Sequence, residues 1–259
     1  MYIPRSITAE LKERLLFNFR VAPEQLAKQL PVSWLEPLVV NGFSIVSFCV
    51  LHLKKVTIWP LPGSILGWRT ISCAYRCGVL DTSAGSPQPA VWIVDRLADL
   101  PIIPKLSPWL LNDTIPAIRP RIKHERDQIA LEVDFPDRQK LFKANLRPAG
   151  GRLSSKAFST MAEFSSFIHN GVTSYAASIY GDALTKIDLI KEDPVYDPYT
   201  GEVDYSWLET TWRDAGLQFD SAVRAHGGKY RWNYRGLVPI IAGAADPFVE
   251  LKLPVTPAT

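Results

Sequence analysis

Apolar and polar residues alternate along much of the chain, and this alternation predicts a protein built mainly from β-strands. Leu15, Phe17, Phe19 and Val21 lie at two-residue intervals, the period of a strand with one buried face. Comparable segments follow at residues 38–50, 68–80, 90–94, 118–124, 129–135, 172–180 and 183–191. Glycine, proline and short polar runs separate many of them, as expected for turns between antiparallel strands.

Helices are expected at only a few places. Pro23 begins a short helix that ends before Pro31, and residues 160–169 carry an apolar helical face behind a capping signal. The proline-rich segment 101–116 is expected to be an irregular, partly helical crossover. We therefore predict an α+β fold in one domain, 1–259, with a core over about 12–198. Residues 199–259 are expected to form a C-terminal extension, with a frayed tail after residue 254.

Composition narrows the function classes. Hydrophobic residues make up 47% of the chain and eight are tryptophans, enough for both a core and an apolar pocket. A net charge of +3 without a basic cluster argues against nucleic-acid binding. The apolar run at 37–53 is shorter than the roughly 20 residues of a membrane helix, so no membrane association is expected. The N-terminus lacks the apolar segment of a signal peptide, which predicts a cytoplasmic protein.

The three cysteines are expected to be reduced thiols. Cys73 and Cys77 are four residues apart in one predicted strand, roughly 13 Å at ~3.3 Å per residue. A disulfide needs Cα atoms within about 7 Å. The histidines show no ligand spacing, so neither a metal site nor a cofactor is predicted.

Three stretches resemble the acetoacetate decarboxylase-like superfamily, most closely an uncharacterised bacterial branch. Residues 17–31 read FNFRVAPEQLAKQLP, a strand running into a short helix that ends in Leu-Pro. The strand AYRCGV at 74–79 precedes the aromatic strand VWIV at 91–94, and a short helix begins near STMAEF at 159–164. The resemblance covers roughly residues 12–198. It implies an antiparallel, cone-shaped β-barrel with a few flanking helices and a pocket inside.

The chain departs from acetoacetate decarboxylase at the catalytic lysine. That enzyme forms a Schiff base through a lysine in a Gly-Phe-Pro-Lys-Lys segment, and the matching residues here, 114–118, read TIPAI. No lysine occurs between Lys105 and Lys123. The decarboxylase's acidic pocket residue belongs to the strand that here carries Arg76. Because imine formation needs an amine in the pocket, we predict that this chain does not decarboxylate through an imine.

Arg76 is the first candidate for a catalytic residue. In a strand it shares a face with Thr70, Ser72 and Ala74, whose small side chains leave room for an anion that a guanidinium can bind. The alternative is a solvated arginine or a structural ion pair. Ser72 is included as a ligand-binding candidate on the same face.

Glu192 is the second catalytic candidate. It lies beside Asp193 and Pro194, and one of the two carboxylates could act as a general base or pair with Arg76. The alternative is an acid in a solvated turn.

The remaining ligand-binding candidates are aromatic or basic. Trp68, Trp92 and Trp109, together with Trp59, favour an aromatic-walled apolar pocket, although each alone is better explained as a core residue. Arg119 begins a basic stripe with Arg121 and Lys123 that forms either an anion-binding wall or a solvated outer face.

These observations lead to two principal functional hypotheses. The first is an enzyme, or a lapsed one, that acts in a lyase-like way on a small organic acid or keto compound, with Arg76 orienting the anion. The second is a non-catalytic binding protein for an apolar or aromatic metabolite. A structural subunit with a filled interior is a third. The expected partner is a small-molecule ligand, and a homo-oligomer remains open.

Overall fold

The computed structural model describes residues 5–60, 67–192 and 194–240. In that part of the chain there are fourteen strands, four α-helices and one short 3-10 helix. The strands are β1 (Ser6–Val21), β2 (Leu35–Pro37), β3 (Val39–Val40), β4 (Phe43–Trp59), β5 (Trp68–Asp81), β6 (Gln88–Ala98), β7 (Arg119–His124), β8 (Ile129–Asp134), β9 (Lys140–Pro148), β10 (Thr173–Ala177), β11 (Ala183–Lys191), β12 (Val195–Ser206), β13 (Gln218–His226) and β14 (Lys229–Pro239). The helices are α1 (Pro23–Ala27), α2 (Ile103–Leu111), α3 (Met161–Asn170) and α4 (Trp207–Thr211), with the 3-10 helix at Arg213–Ala215.

Seven of the described strands close into a ring. Its order is β4-β5-β6-β10-β11-β14-β1, and β1 pairs with β4 to complete it. Every pair in the ring is antiparallel except β6 with β10, which is parallel. The predicted α+β fold with dominant antiparallel strands is confirmed, and the closed ring gives the chain an enclosed interior.

Strand β1 joins the ring to a second sheet. Its first half, Ser6–Glu10, pairs with β14, and its second half, Arg14–Arg20, pairs with β13. From β13 the sheet continues through β12, β9 and β8 to β7. Residues beyond 198, expected as an extension of the core, therefore include β14, a member of the ring. The expected tail after residue 254 lies outside the described residues.

Both faces of β1 are buried, which explains why its alternation of apolar and polar residues is imperfect. Phe17 packs between the ring wall and the second sheet, with its ring centroid 4.7 Å from that of Phe142. Leu16 points to the opposite side, into the ring interior, and belongs to an apolar cluster with Cys49 and Phe164. A half-buried strand was predicted, but contacts on both sides bury every residue from Glu13 to Phe19.

Helix α3 packs against the ring through Phe164 and Ile168. Its predicted N-terminal capping is present: the Thr160 hydroxyl accepts from the Glu163 amide at 3.1 Å. The Glu163 carboxylate accepts in return from the Ser159 amide at 2.7 Å.

The strand predicted at 38–50 extends further along the chain, because β4 continues through Trp59. The crossover predicted at 101–116 contains a regular helix, α2. None of the described helices has the length and apolar character needed to span a membrane.

Candidate functional site

The ring interior contains a cavity of about 140 Å³. Each of the seven ring strands contributes at least one lining residue, which places the cavity inside the ring. The lining is mostly aliphatic, and the polar exceptions lie mainly on β5, β6 and β10. Representative residues, one from each ring strand, are Ile7, Leu51, Arg76, Ile93, Ser174, Ile187 and Trp232. The site is an apolar chamber with a small number of polar groups, the usual composition of a small-molecule pocket.

A smaller cavity of about 40 Å³ lies next to the first. The two cavities share Arg76, Val91, Gly171 and Leu189 as lining residues, so Arg76 stands at the boundary between them. Arg14 lines only the smaller cavity. The interior therefore consists of a larger apolar chamber and a smaller chamber lined by cationic side chains.

The strand register places Arg14 and Arg76 on one interior face, on either side of Cys49. Cys49 of β4 is paired with Leu16 of β1 and Ala74 of β5, and side chains in such a row share a face. Arg14 lies two residues from Leu16, and Arg76 lies two residues from Ala74, on opposite sides of that row. Long side chains from both strands can therefore reach towards Cys49. The Arg14 Nε does so, donating to the Cys49 Sγ at 3.3 Å.

Arg76 has no hydrogen bond or ion pair within the described part of the chain, and its Nε is buried without an acceptor. Burial lowers the pKa of the guanidinium, and the positive charges of Arg14 and Arg96 lower it further, while Cys49 acts in the opposite direction. An arginine stays protonated at any physiological pH, so the group remains a cation. The Arg76 side chain is a partly buried positive charge with a fully buried Nε, and it has no negative partner in the described chain.

Arg14 is more deeply buried, with only 3% of its surface exposed. Burial lowers the pKa of its guanidinium, but Cys49, Tyr230 and Tyr196 raise it by more, and the net shift is upward. Arg14 forms no ion pair with a carboxylate in the described part of the chain, and its one side-chain hydrogen bond there goes to the Cys49 Sγ.

A third arginine of the ring interior is different. Arg96 lines the larger cavity, and its Nη1 donates to the Asp113 Oδ2 at 2.7 Å. Burial raises the pKa of the Asp113 carboxyl, although Arg96 counteracts this. Asp95 lies next to Arg96, and burial together with the charge of Asp113 raises its pKa to about 6. Arg96 is thus held as one half of an ion pair, in contrast to Arg76.

Two of the predicted residues lie on the cavity. Arg76 and Ser72 line the larger chamber with Thr70 and Ala74, on the face of β5 that the alternation indicated. The Ser72 hydroxyl donates to the Leu97 carbonyl at 3.1 Å.

The predicted tryptophans lie elsewhere. Trp92 is buried in the core between the ring and the second sheet, and Trp68 packs against apolar clusters without lining the cavity. Trp109, on α2, is 47% exposed and has the guanidinium carbon of Arg5 5.9 Å from its ring centroid. The tryptophan that does line the cavity is Trp232, which the alternation did not single out.

Arg119 and Glu192 lie outside both cavities. Arg119 is exposed on β7, at the outer edge of the second sheet. Glu192 is exposed after β11, where its Oε2 accepts from the Lys229 amide at 3.0 Å, a contact that stabilises a turn. The structure does not bring Glu192 to Arg76, and Asp193 is outside the described residues.

Residues 114–118, which the sequence resemblance predicted to match the decarboxylase's lysine segment, lie against the ring and contain no lysine. Ile115 lines the larger cavity, and Ile118 is buried in the core. Among the described lining residues of the two cavities the one lysine is Lys191, at the smaller chamber, where its Nζ donates to the Ile168 carbonyl at 2.5 Å. The described residues also contain no group of three or more metal-ligating side chains suited to a metal ion.

Comparison with solved structures identifies the architecture. Acetoacetate decarboxylase from Legionella pneumophila superposes with a TM-score of 0.64 at 11% identity, covering 90% of this chain and 86% of that one. The fold is that of acetoacetate decarboxylase. An acetoacetate decarboxylase-like enzyme from Sphingomonas wittichii gives a TM-score of 0.57 at 13% identity, covering 92% of this chain and 94% of that one. The enduracididine biosynthesis enzyme MppR, complexed with pyruvate, gives 0.56 at 11% identity, covering 93% and 92%. No protein-family model and no curated protein matches the sequence.

In this chain the interior of that fold carries the arginines Arg14, Arg76 and Arg96. The resemblance predicted from sequence is confirmed for the fold. At these identities the likeness extends to the fold alone, so the chemistry has to be derived from the side chains of this chain.

Proposed function

We propose that the protein binds a small organic anion inside the seven-strand ring, with Arg76 holding the anionic group. The observation that carries this proposal is the buried Nε of Arg76 at the boundary of an apolar cavity, for which residues 5–60, 67–192 and 194–240 supply no acceptor. A buried cation without a partner is costly, and such a group is retained where a ligand supplies the missing charge. A carboxylate is the natural complement, because it accepts two hydrogen bonds from one guanidinium.

We further propose that the protein is an enzyme, or a lapsed one, with lyase-like chemistry on a small organic acid or keto compound. Support comes from the solved proteins of the same fold, which are named as a decarboxylase and as an enzyme complexed with pyruvate. In a bound keto acid, the guanidinium of Arg76 would orient the carboxylate or stabilise negative charge on the carbonyl oxygen. Glu192 is omitted from this proposal because its side chain is bound in a turn.

The second candidate is a non-catalytic binding protein for an apolar or aromatic metabolite. The aliphatic lining and Trp232 favour it, since neither contributes acid–base chemistry. The enzyme would convert its ligand and the binding protein would release it unchanged, but both would use the same binding site. We also propose a cytoplasmic location, supported by three buried cysteines that are free thiols.

Native mass spectrometry of gently purified protein tests binding directly. We expect a co-purified small anion, or a stable complex on addition of small carboxylic acids, for the wild type. Arg76→Gln removes the charge and should abolish the complex. Arg69→Gln is the matched control, because Arg69 is exposed on the same strand and should leave the complex unchanged. A complex that survives Arg76→Gln at the wild-type level would contradict the proposal.

A further inference from the structure

We infer that the ligand is a monocarboxylate whose apolar body is about the size of a benzene ring, an inference that rests on the proposed anion site. Its carboxylate lies in the smaller chamber between Arg14 and Arg76, and its body fills the larger chamber. Arg14 is thereby assigned as a second anion-binding residue. The sequence pattern did not indicate it.

The smaller chamber has the size and lining of a carboxylate site. Its volume of about 40 Å³ exceeds the ~10–15 Å³ that one water requires, so two carboxylate oxygens fit. It is lined by Arg14 from β1 and by Arg76 from β5. Two cationic side chains that could each bind an anion therefore face the same small space.

The charges favour one carboxylate rather than two. Lys191, which also lines the smaller chamber, donates to the Ile168 carbonyl. Of the described residues lining the larger chamber, the cations are Arg76 and Arg96, and Arg96 is already paired with Asp113. A second carboxylate would lose its water against an aliphatic wall and meet no free cation there, which disfavours its burial. Dicarboxylates should therefore bind less well than monocarboxylates.

The larger chamber sets the size of the ligand's body. Its volume of about 140 Å³ is close to the roughly 150 Å³ of an engineered apolar cavity in another protein that binds benzene. Acetate or pyruvate would leave most of this volume unfilled. The lining includes Leu51, Ile93, Leu111 and Trp232, which offer an apolar surface on several sides. The class that fits both chambers is an aryl, or similarly bulky alkyl, carboxylic or keto acid.

Isothermal titration calorimetry with phenylacetate tests this ligand class, with acetate, succinate and benzyl alcohol as comparison probes. We expect phenylacetate to bind at least about 30-fold more tightly than acetate, because acetate lacks the buried ring. Succinate and benzyl alcohol should also bind at least about 10-fold more weakly, because one adds an unpaired carboxylate and the other lacks one. Equal affinities for acetate or succinate and for phenylacetate would overturn the assigned class.

Variants test the assignment of Arg14. Arg14→Gln should weaken phenylacetate binding about 10- to 100-fold, the effect of losing a charge-assisted hydrogen bond, and Arg14→Lys should recover part of the affinity. Arg69→Gln should bind as the wild type does. Ala74→Leu narrows the larger chamber, so it should weaken phenylacetate more than acetate. Circular dichroism verifies that each variant is folded.

The outcomes separate this inference from the proposed function. If Arg14→Gln binds phenylacetate as the wild type does while Arg76→Gln does not, the two-arginine site is wrong and the anion site at Arg76 stands. If Arg76→Gln also binds every acid at the wild-type level, the proposed function fails as well. If Ala74→Leu leaves the phenylacetate affinity unchanged, the body does not occupy the larger chamber.

Discussion

Replacing Arg76 by methionine should make the ligand-free protein more stable, whereas the same replacement of Arg96 should make it less stable. Both arginines line the larger cavity, but within the described residues only Arg96 has an acidic partner, Asp113 at 2.7 Å. Methionine keeps an unbranched side chain of comparable reach and removes the charge. Comparing the stability changes of the two variants therefore tests whether each guanidinium is neutralised in the folded protein.

The expected magnitudes follow from these contacts. The buried Nε of Arg76 has no acceptor, and a buried unsatisfied polar group costs about 1–3 kcal/mol. Removing it should raise the free energy of unfolding by about that amount, or about 2–4 °C in Tm for each kcal/mol in a protein of this size. Arg96→Met leaves the buried Asp113 carboxylate without its cation, and the loss should be about 3 kcal/mol.

Urea unfolding at pH 7, followed by tryptophan fluorescence and circular dichroism, measures both changes. The protein should first be unfolded and refolded by dialysis, so that any co-purified anion is lost from the wild type. Arg69→Met, at an exposed position on the same strand, is the control and should change stability by less than about 0.5 kcal/mol. If Arg76→Met is destabilised as strongly as Arg96→Met, Arg76 has a partner in solution and our view of an uncompensated cation is refuted.

Three further predictions concern pH, backbone packing and covalent chemistry. The raised pKa of Asp95, about 6, means that the folded protein holds this proton more tightly than the unfolded chain, so stability should fall as pH rises from about 4 to about 6. Asp95→Asn should remove that slope and add about 1–2 kcal/mol at pH 8 in urea titrations; an unchanged slope would assign it to another group. Gly201→Ala should cost at least about 2 kcal/mol, because its Cβ would lie 2.2 Å from the Asn145 carbonyl oxygen, and wild-type stability in the same titration would contradict this. Incubation with pyruvate and borohydride should leave the protein mass unchanged, since the one described lysine at the two cavities, Lys191, donates to a backbone carbonyl; a reduced adduct there would restore the imine mechanism.

The sequence was informative wherever a property depends on neighbouring residues. The two-residue period predicted that Arg76 shares a face with Ser72 and Ala74, and the structure places that face on the cavity. The capping of α3 was also visible, because a cap involves residues only three or four positions apart. The lack of a lysine between positions 105 and 123 is a further property of the chain itself.

Other site residues escaped prediction because their neighbours are distant in sequence. Trp232 reaches the cavity because β14 pairs with both β1 and β11, and no local pattern indicates that pairing. Trp92 was a pocket candidate, but its side chain lies on the other side of the ring wall, in the core. In a sheet covered on both faces, apolar residues occur on each, so alternation alone cannot tell the inside of a ring from the outside.

By itself, the sequence determined the strand-rich α+β class, the acetoacetate decarboxylase-like resemblance and the arginine on a face of small residues. Only the tertiary structure decided that Arg14 and Arg76 approach Cys49 from its two neighbouring strands, and that Glu192 does not reach them. The physical reason is that charge compensation is a property of three-dimensional surroundings. An arginine in a sequence shows its charge, but only the folded chain shows whether a carboxylate has been placed beside it.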